Sequence, residues 1–289
     1  MKTLHIQTAR AKVNLALHVI SKRSDGFHEL DSLVCFPLFG DEIICTKSPV
    51  PNLSISGKFS DQISVANNII LKILNEISSS NRSLSVHLKK NIPIASGLGG
   101  GSANAAAVIR SYINLWGGGN FQENTFVKFG ADIPVCISSS FQRMRGIGEK
   151  IEHLKSDLSF YILLVNDGNQ IPTKNVFSKV EQKHRSKLDK LFKFRNLSDL
   201  VKYLNDQRND LEEVACNLDG NLRPMITYLW KLPGCKLVRL SGSGGTVFSI
   251  FESRMAAIEA FRKILVEKRR WWAVYSPVDL ADPGYHIVT

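Results

Sequence analysis

Residues 93–104 read PIASGLGGGSAN, and four of the twelve are glycine, three of them consecutive. Glycine lacks a Cβ, so this backbone can turn several N–H groups towards one point and let a ligand approach closely. Upstream, residues 84–88 alternate apolar and polar, a strand pattern. Downstream, Ala106, Ile109, Ile113 and Trp116 recur at helical spacing until Gly117, Gly118 and Gly119 stop the helix. A glycine loop entering a helix, with Ser102 as its N-cap, gathers unpaired N–H groups at the positive end of the helix dipole. The chemistry that suits such a place is the gripping of a phosphate. Two common phosphate loops are excluded by residue type. No Lys–Ser/Thr follows the last glycine, and the third glycine of the dinucleotide fingerprint is missing.

Other residues could do chemistry but carry blander readings too. Lys12, Asn14 and His18 lie on one face of a strand, opposite Val13, Leu15, Leu17 and Val19. Taken alone, Lys12 reads as a solvated strand residue. Asp25–Gly26 marks a turn, and Phe27–His28 follows it. That pair suits stacking on and hydrogen-bonding to a heterocyclic base, and Phe27 equally suits the start of a buried strand. Asp132, two residues before Pro134, reads as a helix N-cap and also as a fixed carboxylate on a loop.

The elements that must hold these groups follow from the pattern. Strands are expected over 4–8 (Leu4, Ile6, Thr8), 13–19, 33–46 with breaks at Pro37 and Gly40, 161–165, 236–240, 246–250 and 272–275. Helices are expected over 64–77, 121–130, 174–191, 197–214 and 221–231, with another through Ile258, Phe261 and Leu265. The texture changes near residue 155, which divides the chain into 1–155 and 156–289. The second part, ending strand, glycine turn, strand, helix, strand, fits a small α+β sandwich.

At 289 residues and 44% apolar, the chain has enough material for two real cores. The net charge of +11 favours an anionic partner: a nucleotide, a phosphorylated metabolite, nucleic acid or a membrane surface. Residues 183–195 carry six Lys/Arg against one acid, Asp189, the mark of a solvated helix face. Five cysteines with no C-x-x-C pair indicate neither a disulfide framework nor a zinc site. The polar interruptions in residues 1–7 do not read as a signal peptide, and the longest clean apolar run is far short of a membrane span. A cytoplasmic location is expected.

Three features stand in a telling order: AKVN at 11–14, the loop at 93–104, and LSGSGGTVF at 240–248. That order resembles the GHMP kinase superfamily, which phosphorylates small alcohols from ATP. Within it, AKVNLALHV followed by RSDGFHELDSL, with GADIP at 130–134, is similar to the 4-diphosphocytidyl-2-C-methylerythritol kinase family of non-mevalonate isoprenoid synthesis. The resemblance implies an α+β fold of two-layer α/β type, with a ribosomal-protein-like N-terminal domain and a ferredoxin-like C-terminal domain. It implies Asp132 as base on the acceptor hydroxyl and Lys12 as its paired cation. Pro93, Ile94, Ala95, Ser96, Gly97, Leu98, Gly99, Gly100, Gly101, Ser102 and Ala103 would form the ATP phosphate loop, with Asn68 near the adenine. Phe27, His28 and Phe177 match the cytosine site, and Asn14 and Thr173 match positions near the erythritol and diphosphate. ATP with Mg²⁺ is the expected cofactor set, with no dedicated metal ligands, and neither nucleic acid nor membrane is an expected partner.

This sequence departs from the family pattern in places. Phe27 stands where tyrosine is usual, Ser96 for a glycine, Ala103 for a serine, and residues 138–143 read SSSFQR in place of a Gly/Ala pattern. The rival acceptors inside the superfamily are homoserine and mevalonate. Outside it, the Lys268–Arg269–Arg270–Trp271–Trp272 run and the basic balance would serve a nucleic-acid-binding protein.

Overall fold

The computed structural model describes residues 3–117, 123–181 and 186–285. The first part carries strands β1 (Leu4–Arg10), β2 (Val13–Lys22), β3 (His28–Cys35), β4 (Gly40–Ser48) and β5 (Asn52–Ser56). Helix α1 (Ile69–Ile77), strand β6 (Ser83–Lys89), helices α2 (Gly100–Trp116) and α3 (Ile133–Ser138), and strands β7 (Gln142–Gly146) and β8 (Lys150–His153) complete it. They form two four-stranded sheets, ordered β1-β4-β6-β5 and β2-β3-β7-β8. The first sheet and helices α1, α2 and α3 enclose one apolar core, built from residues such as Ile43, Leu74, Val86 and Ile109.

The second part begins with β9 (Ser159–Asn166), followed by α4 (Thr173–Ser178), α5 (Leu197–Asp206), α6 (Glu212–Leu218) and α7 (Leu222–Trp230). Strands β10 (Cys235–Leu240) and β11 (Thr246–Phe251), helix α8 (Arg254–Glu267) and strand β12 (Trp272–Asp279) end it. The sheet order β10-β11-β9-β12, antiparallel throughout, is the ferredoxin-like arrangement. One face of this sheet packs with α6, α7 and α8. Its other face shares a core with the β2-β3 sheet, through Val13, Leu15, Leu33, Phe160, Leu164 and Phe248. The two parts are therefore joined by buried apolar surface. No helix among the described residues is long and apolar enough to cross a membrane.

Several elements differ from the sequence expectation. In β1 the apolar alternation faces out: Leu4 and Ile6 are exposed, while Gln7 and Ala9 face α2. Gln7 satisfies its amide there by donating to the Ala107 carbonyl at 2.7 Å. Strand β2 is buried on both faces, so Asn14 and His18 are not solvated. Helix α1 starts at Ile69 instead of 64, because the Asn68 side chain caps it by accepting from the Ile70 N–H at 3.0 Å. Strands β5, β7 and β8 were not among the expected elements, although Leu53 and Ile55 alternate with polar residues in β5.

The helix expected over 174–191 ends at Ser178, and the described residues beyond it, 179–181 and 186–196, hold no helix. Part of the basic run, 183–185, lies outside the described residues. In the remainder the Leu188 N–H donates to Asp31 and the Asp189 N–H to Gln207, so tertiary partners replace a helical ladder. The helix expected over 197–214 is two helices. Between them Leu17 and residues 208–210 exchange backbone bonds, and the Asn209 amide donates to the Leu240 and Gly242 carbonyls at 2.9 Å. A 3-10 helix over Glu123–Phe129 stands in place of the helix at 121–130, whose first two residues lie outside the described set.

Candidate active site

Lys12 and Asp132, 120 residues apart in sequence, meet in one ion pair with Nζ 2.7 Å from Oδ2. Lys12 lies in the short break between β1 and β2, and its N–H donates to the Leu98 carbonyl at 2.8 Å. That bond ties the lysine to the glycine loop. Gly99 passes directly over the side chain: a Cβ there would stand 3.2 Å from Lys12 Cβ, and its φ of +63° is one that glycine adopts freely. Lys12 is therefore almost fully buried, while the Asp132 carboxylate keeps 32% of its surface open. Asp132 holds the N-cap position of α3, with Pro134 in the first turn, but makes no capping hydrogen bond. Its carboxylate is turned to the lysine instead.

Gly99, in the left-handed region, is the N-cap of α2, so Ser102 sits inside the first turn instead of capping it. The Ser102 hydroxyl faces the Gly130 turn, 3.2 Å from where a Gly130 Cβ would stand. Behind the loop lie residues 241–246. The Ser241 hydroxyl donates to the Gly97 carbonyl at 3.0 Å, and the Thr246 N–H donates to the Ser96 carbonyl at 3.0 Å. Gly97, with φ +74°, abuts this brace so closely that a Cβ would overlap the Ser241 carbonyl oxygen. Ala95 is held at φ +50° despite its Cβ, a strain of about 1–2 kcal/mol that the surrounding loops must sustain.

These groups border a cleft of about 1010 Å³, at the upper end of the range for small-molecule sites and roomy enough for two ligands. Lys12, Asn14, Phe27, His28, Asn68, Asp132, Thr173 and Phe177 all line it, as do Pro93 to Gly97 and Gly99 to Ser102. Leu98 and Ala103 do not. Their side chains point into the two neighbouring cores.

At the far end, Thr173 and Phe177 occupy one face of α4 at i, i+4 spacing, and the Thr173 hydroxyl lies 2.9 Å from that of Ser243. Phe27 is exposed at its turn, whereas His28 starts β3 and its ring already touches Phe177, centroids 5.1 Å apart. A base entering between those two rings has to part them. Burial, with help from the Lys22 ammonium, lowers the His28 pKa, which keeps the ring neutral at pH 7 and able both to donate and to accept.

Sequence reasoning missed three contributors. Lys90 reaches the cleft beside Gly100 and is paired with Asp41, which also accepts from the Asn91 and Ile92 N–H groups. Nothing in a sequence joins residues 41 and 90 across two strands. Asn104 lines the cleft with its Oδ1 buried and without a hydrogen-bond partner, and the same holds for Asn14 Oδ1. Asn209 holds the brace loop by two backbone carbonyls.

Two family descriptions match this chain: "GHMP kinases N terminal domain" over residues 65–140 and "GHMP kinases C terminal" over 188–268. A 4-diphosphocytidyl-2-C-methyl-D-erythritol kinase of Cereibacter sphaeroides is 37% identical over 267 residues, covering 91% of this chain and 95% of its own. One of Rhizobium etli is 36% identical over 274 residues, 92% of each chain. Among solved structures, a 4-(cytidine 5'-diphospho)-2C-methyl-D-erythritol kinase superposes with TM-score 0.77 at 24% identity, covering 95% of this chain and 99% of that one. A mevalonate kinase of L. major, in complex with R-mevalonate, shares the fold at TM-score 0.68 and 14% identity, covering 96% and 97%.

Proposed function

The chain belongs to the 4-diphosphocytidyl-2-C-methyl-D-erythritol kinases, a family of GHMP kinases, and from that membership we propose that it transfers the γ-phosphoryl group of ATP to the 2-hydroxyl of 4-diphosphocytidyl-2-C-methyl-D-erythritol. The observation that carries this reading is the Lys12–Asp132 pair, 2.7 Å apart beside a glycine loop that opens a helix. The division of labour is a phosphate-holding and catalytic part, 1–155, and a part over 156–289 that walls the cleft and braces the loop.

Phosphoryl transfer passes through a loose transition state, so the protein's task is positioning and charge neutralisation. The N–H groups of residues 97–102 offer fixed positive potential to the ATP phosphates without a Walker lysine. The acceptor hydroxyl gives its proton to Asp132 as its oxygen bonds to the γ-phosphorus and the bond to the β-phosphate oxygen breaks, releasing ADP. Lys12 keeps its proton and offsets the negative charge at the attacking oxygen.

Mg²⁺, when bound with ATP, would neutralise part of the phosphate charge. The residues present fit it. Asn104 Oδ1 is a buried acceptor without a partner, lining the cleft where the backbone offers donors, and Ser102 adds a hydroxyl. Phosphate oxygens cannot satisfy an acceptor, whereas a cation or its hydration water can. Among the described residues no group of three or more His, Cys, Asp or Glu is placed to hold a metal ion.

The cytidine end would lie at His28 and Phe177, with Phe27 beside them and with Asn14 and Thr173 nearer the reacting alcohol. The tryptophans of the basic run have internal partners: Trp271 packs on Tyr228 and under Lys268, and Trp272 on Phe39 and Phe59. This favours a small-molecule substrate over nucleic acid. An acceptor panel tests the reading. ADP release with the cytidylyl substrate, and none with homoserine or mevalonate, is the expected outcome; turnover with either of the others in its place would overturn it.

A further inference from the structure

Arg110 is a buried cation that the chemistry above leaves unused. It lies on α2, ten residues or about 15 Å along the helix from Gly100. Its side chain leaves its own helix: Nη1 donates to the carbonyls of Cys136 at 2.8 Å and Ile137 at 2.9 Å, both on α3. Nε donates to Gln7 Oε1 at 2.9 Å, and Gln7 is anchored back on α2 through the Ala107 carbonyl. Nη2 is buried with no hydrogen-bond partner, and the Tyr285 ring lies 4.0 Å from the guanidinium carbon. Burying a guanidinium is costly. Burial lowers its pKa to about 10, which still leaves it charged at pH 7. The negative end of the α3 dipole, two carbonyls and an aromatic face compensate it.

Helix α3 has six residues, too few to be stable alone, so its direction is set by whatever holds its ends. Asp132 is the residue before its first turn. The opposite end is gripped by the last segment of the chain. After β12 the backbone returns to the N-terminal part, where Asp282 pairs with Arg10 at 2.7 Å. The Tyr285 N–H donates to the Ser138 carbonyl at 2.6 Å, and its hydroxyl donates to the Thr8 carbonyl at 2.9 Å. Gly284 lies flat on the Ser138 backbone, where no Cβ would fit.

We propose that Arg110 and the segment 281–285 are positioning elements for catalysis: they clamp the C-terminal end of α3 and thereby hold Asp132 against Lys12 beside the phosphate loop. The inference rests on Asp132 being the acceptor's base. One helix, α2, then carries the phosphate loop at its start and the clamp of the catalytic aspartate further along. Neither Arg110 nor Tyr285 touches substrate.

The test is Tyr285→Leu, which removes the ring and one hydrogen bond at the edge of the molecule, with Arg110→Lys as the second variant. Three readouts are needed. First, kcat with the cytidylyl substrate falls about 10- to 100-fold in each variant, the cost of a displacement on the order of 1 Å, while KM for ATP stays within about twofold of wild type; Tyr285→Phe, which keeps the ring, regains most of the loss. Second, in an Asp132→Asn background Tyr285→Leu costs nothing further. Third, amide hydrogen exchange of 131–138 quickens in Tyr285→Leu while that of 100–109 does not. The exchange readout needs no substrate, so it stands even where the assumed acceptor fails. Wild-type kcat in Tyr285→Leu, an equal loss in the Asp132→Asn background, or unchanged exchange in α3 would each overturn the proposal.

Discussion

Gly97 and Gly101 belong to one loop, yet alanine should act on them in opposite ways. At Gly97 an added Cβ would overlap the Ser241 carbonyl oxygen and stand 2.9 Å from the Gly244 carbonyl oxygen, at a φ of +74°. The obstacle is backbone, so the two loops must part by roughly 1 Å, enough to cost about 100-fold in kcat/KM. The left-handed conformation adds about 1–2 kcal/mol of strain and the overpacking about 1–3 kcal/mol, so the melting temperature should fall clearly. At Gly101 a Cβ meets nothing within 4 Å and the residue is helical, so alanine should leave stability equal or slightly higher. On the proposed function, that Cβ, added at a residue lining the cleft, would crowd the ATP phosphates. Gly101→Ala should therefore fold normally and bind ATP at least about tenfold more weakly, the equivalent of about 1.4 kcal/mol. The assay is thermal unfolding beside calorimetric titration with ATP and steady-state kinetics. Wild-type ATP affinity in Gly101→Ala, or full activity in Gly97→Ala, would refute the idea that bare backbone grips the nucleotide.

Three other outcomes follow from the geometry. Lys90→Met strands the buried Asp41 carboxylate and should cost about 3–5 kcal/mol, read by denaturant unfolding. Burial lowers the His18 pKa, its Nδ1 facing the Ser186 carbonyl and its Nε2 accepting from the Arg208 N–H. The unfolded chain then binds the proton more readily, so His18's contribution is complete above about pH 6.5 and lost as pH falls below it; in His18→Gln the acid-side decline in melting temperature should be shallower. Phe177→Ala opens the ring pair with His28 and should raise KM for the cytidylyl substrate by about tenfold while leaving KM for ATP unchanged, read by steady-state kinetics.

Much of the site was legible because local chemistry announces it. Three adjacent glycines between a strand and a helix have few structural uses, and proline two residues after Asp132 fixes a short helix start. Lys12 was legible as important only through resemblance, since its strand pattern alone reads as solvated; the glycine loop, reaching it from nearly ninety residues away, closes over its side chain. The failures share one cause. At 186–196 and at 207–211 the backbone takes its partners from outside the local turn, from Asp31, Gln207 and Leu17, and the Asn209 side chain bonds the Leu240 carbonyl. Apolar spacing there reads as helix because those distant partners leave no trace in a local window. In β1 the expected face is inverted because one glutamine finds its hydrogen bonds on α2. Arg110 and Lys90 escaped for the same reason, being ordinary residues of a helix and of a strand end until the fold brings their partners.

The proposed catalysis depends on one carboxylate, Asp132, paired with one buried lysine, Lys12. The kcat of Asp132→Asn, measured at saturating ATP and cytidylyl substrate, tests it most directly. Loss of the base should lower kcat by about 10²–10⁴-fold with the affinity for ATP retained. A variant that turns over within about threefold of wild type would contradict it.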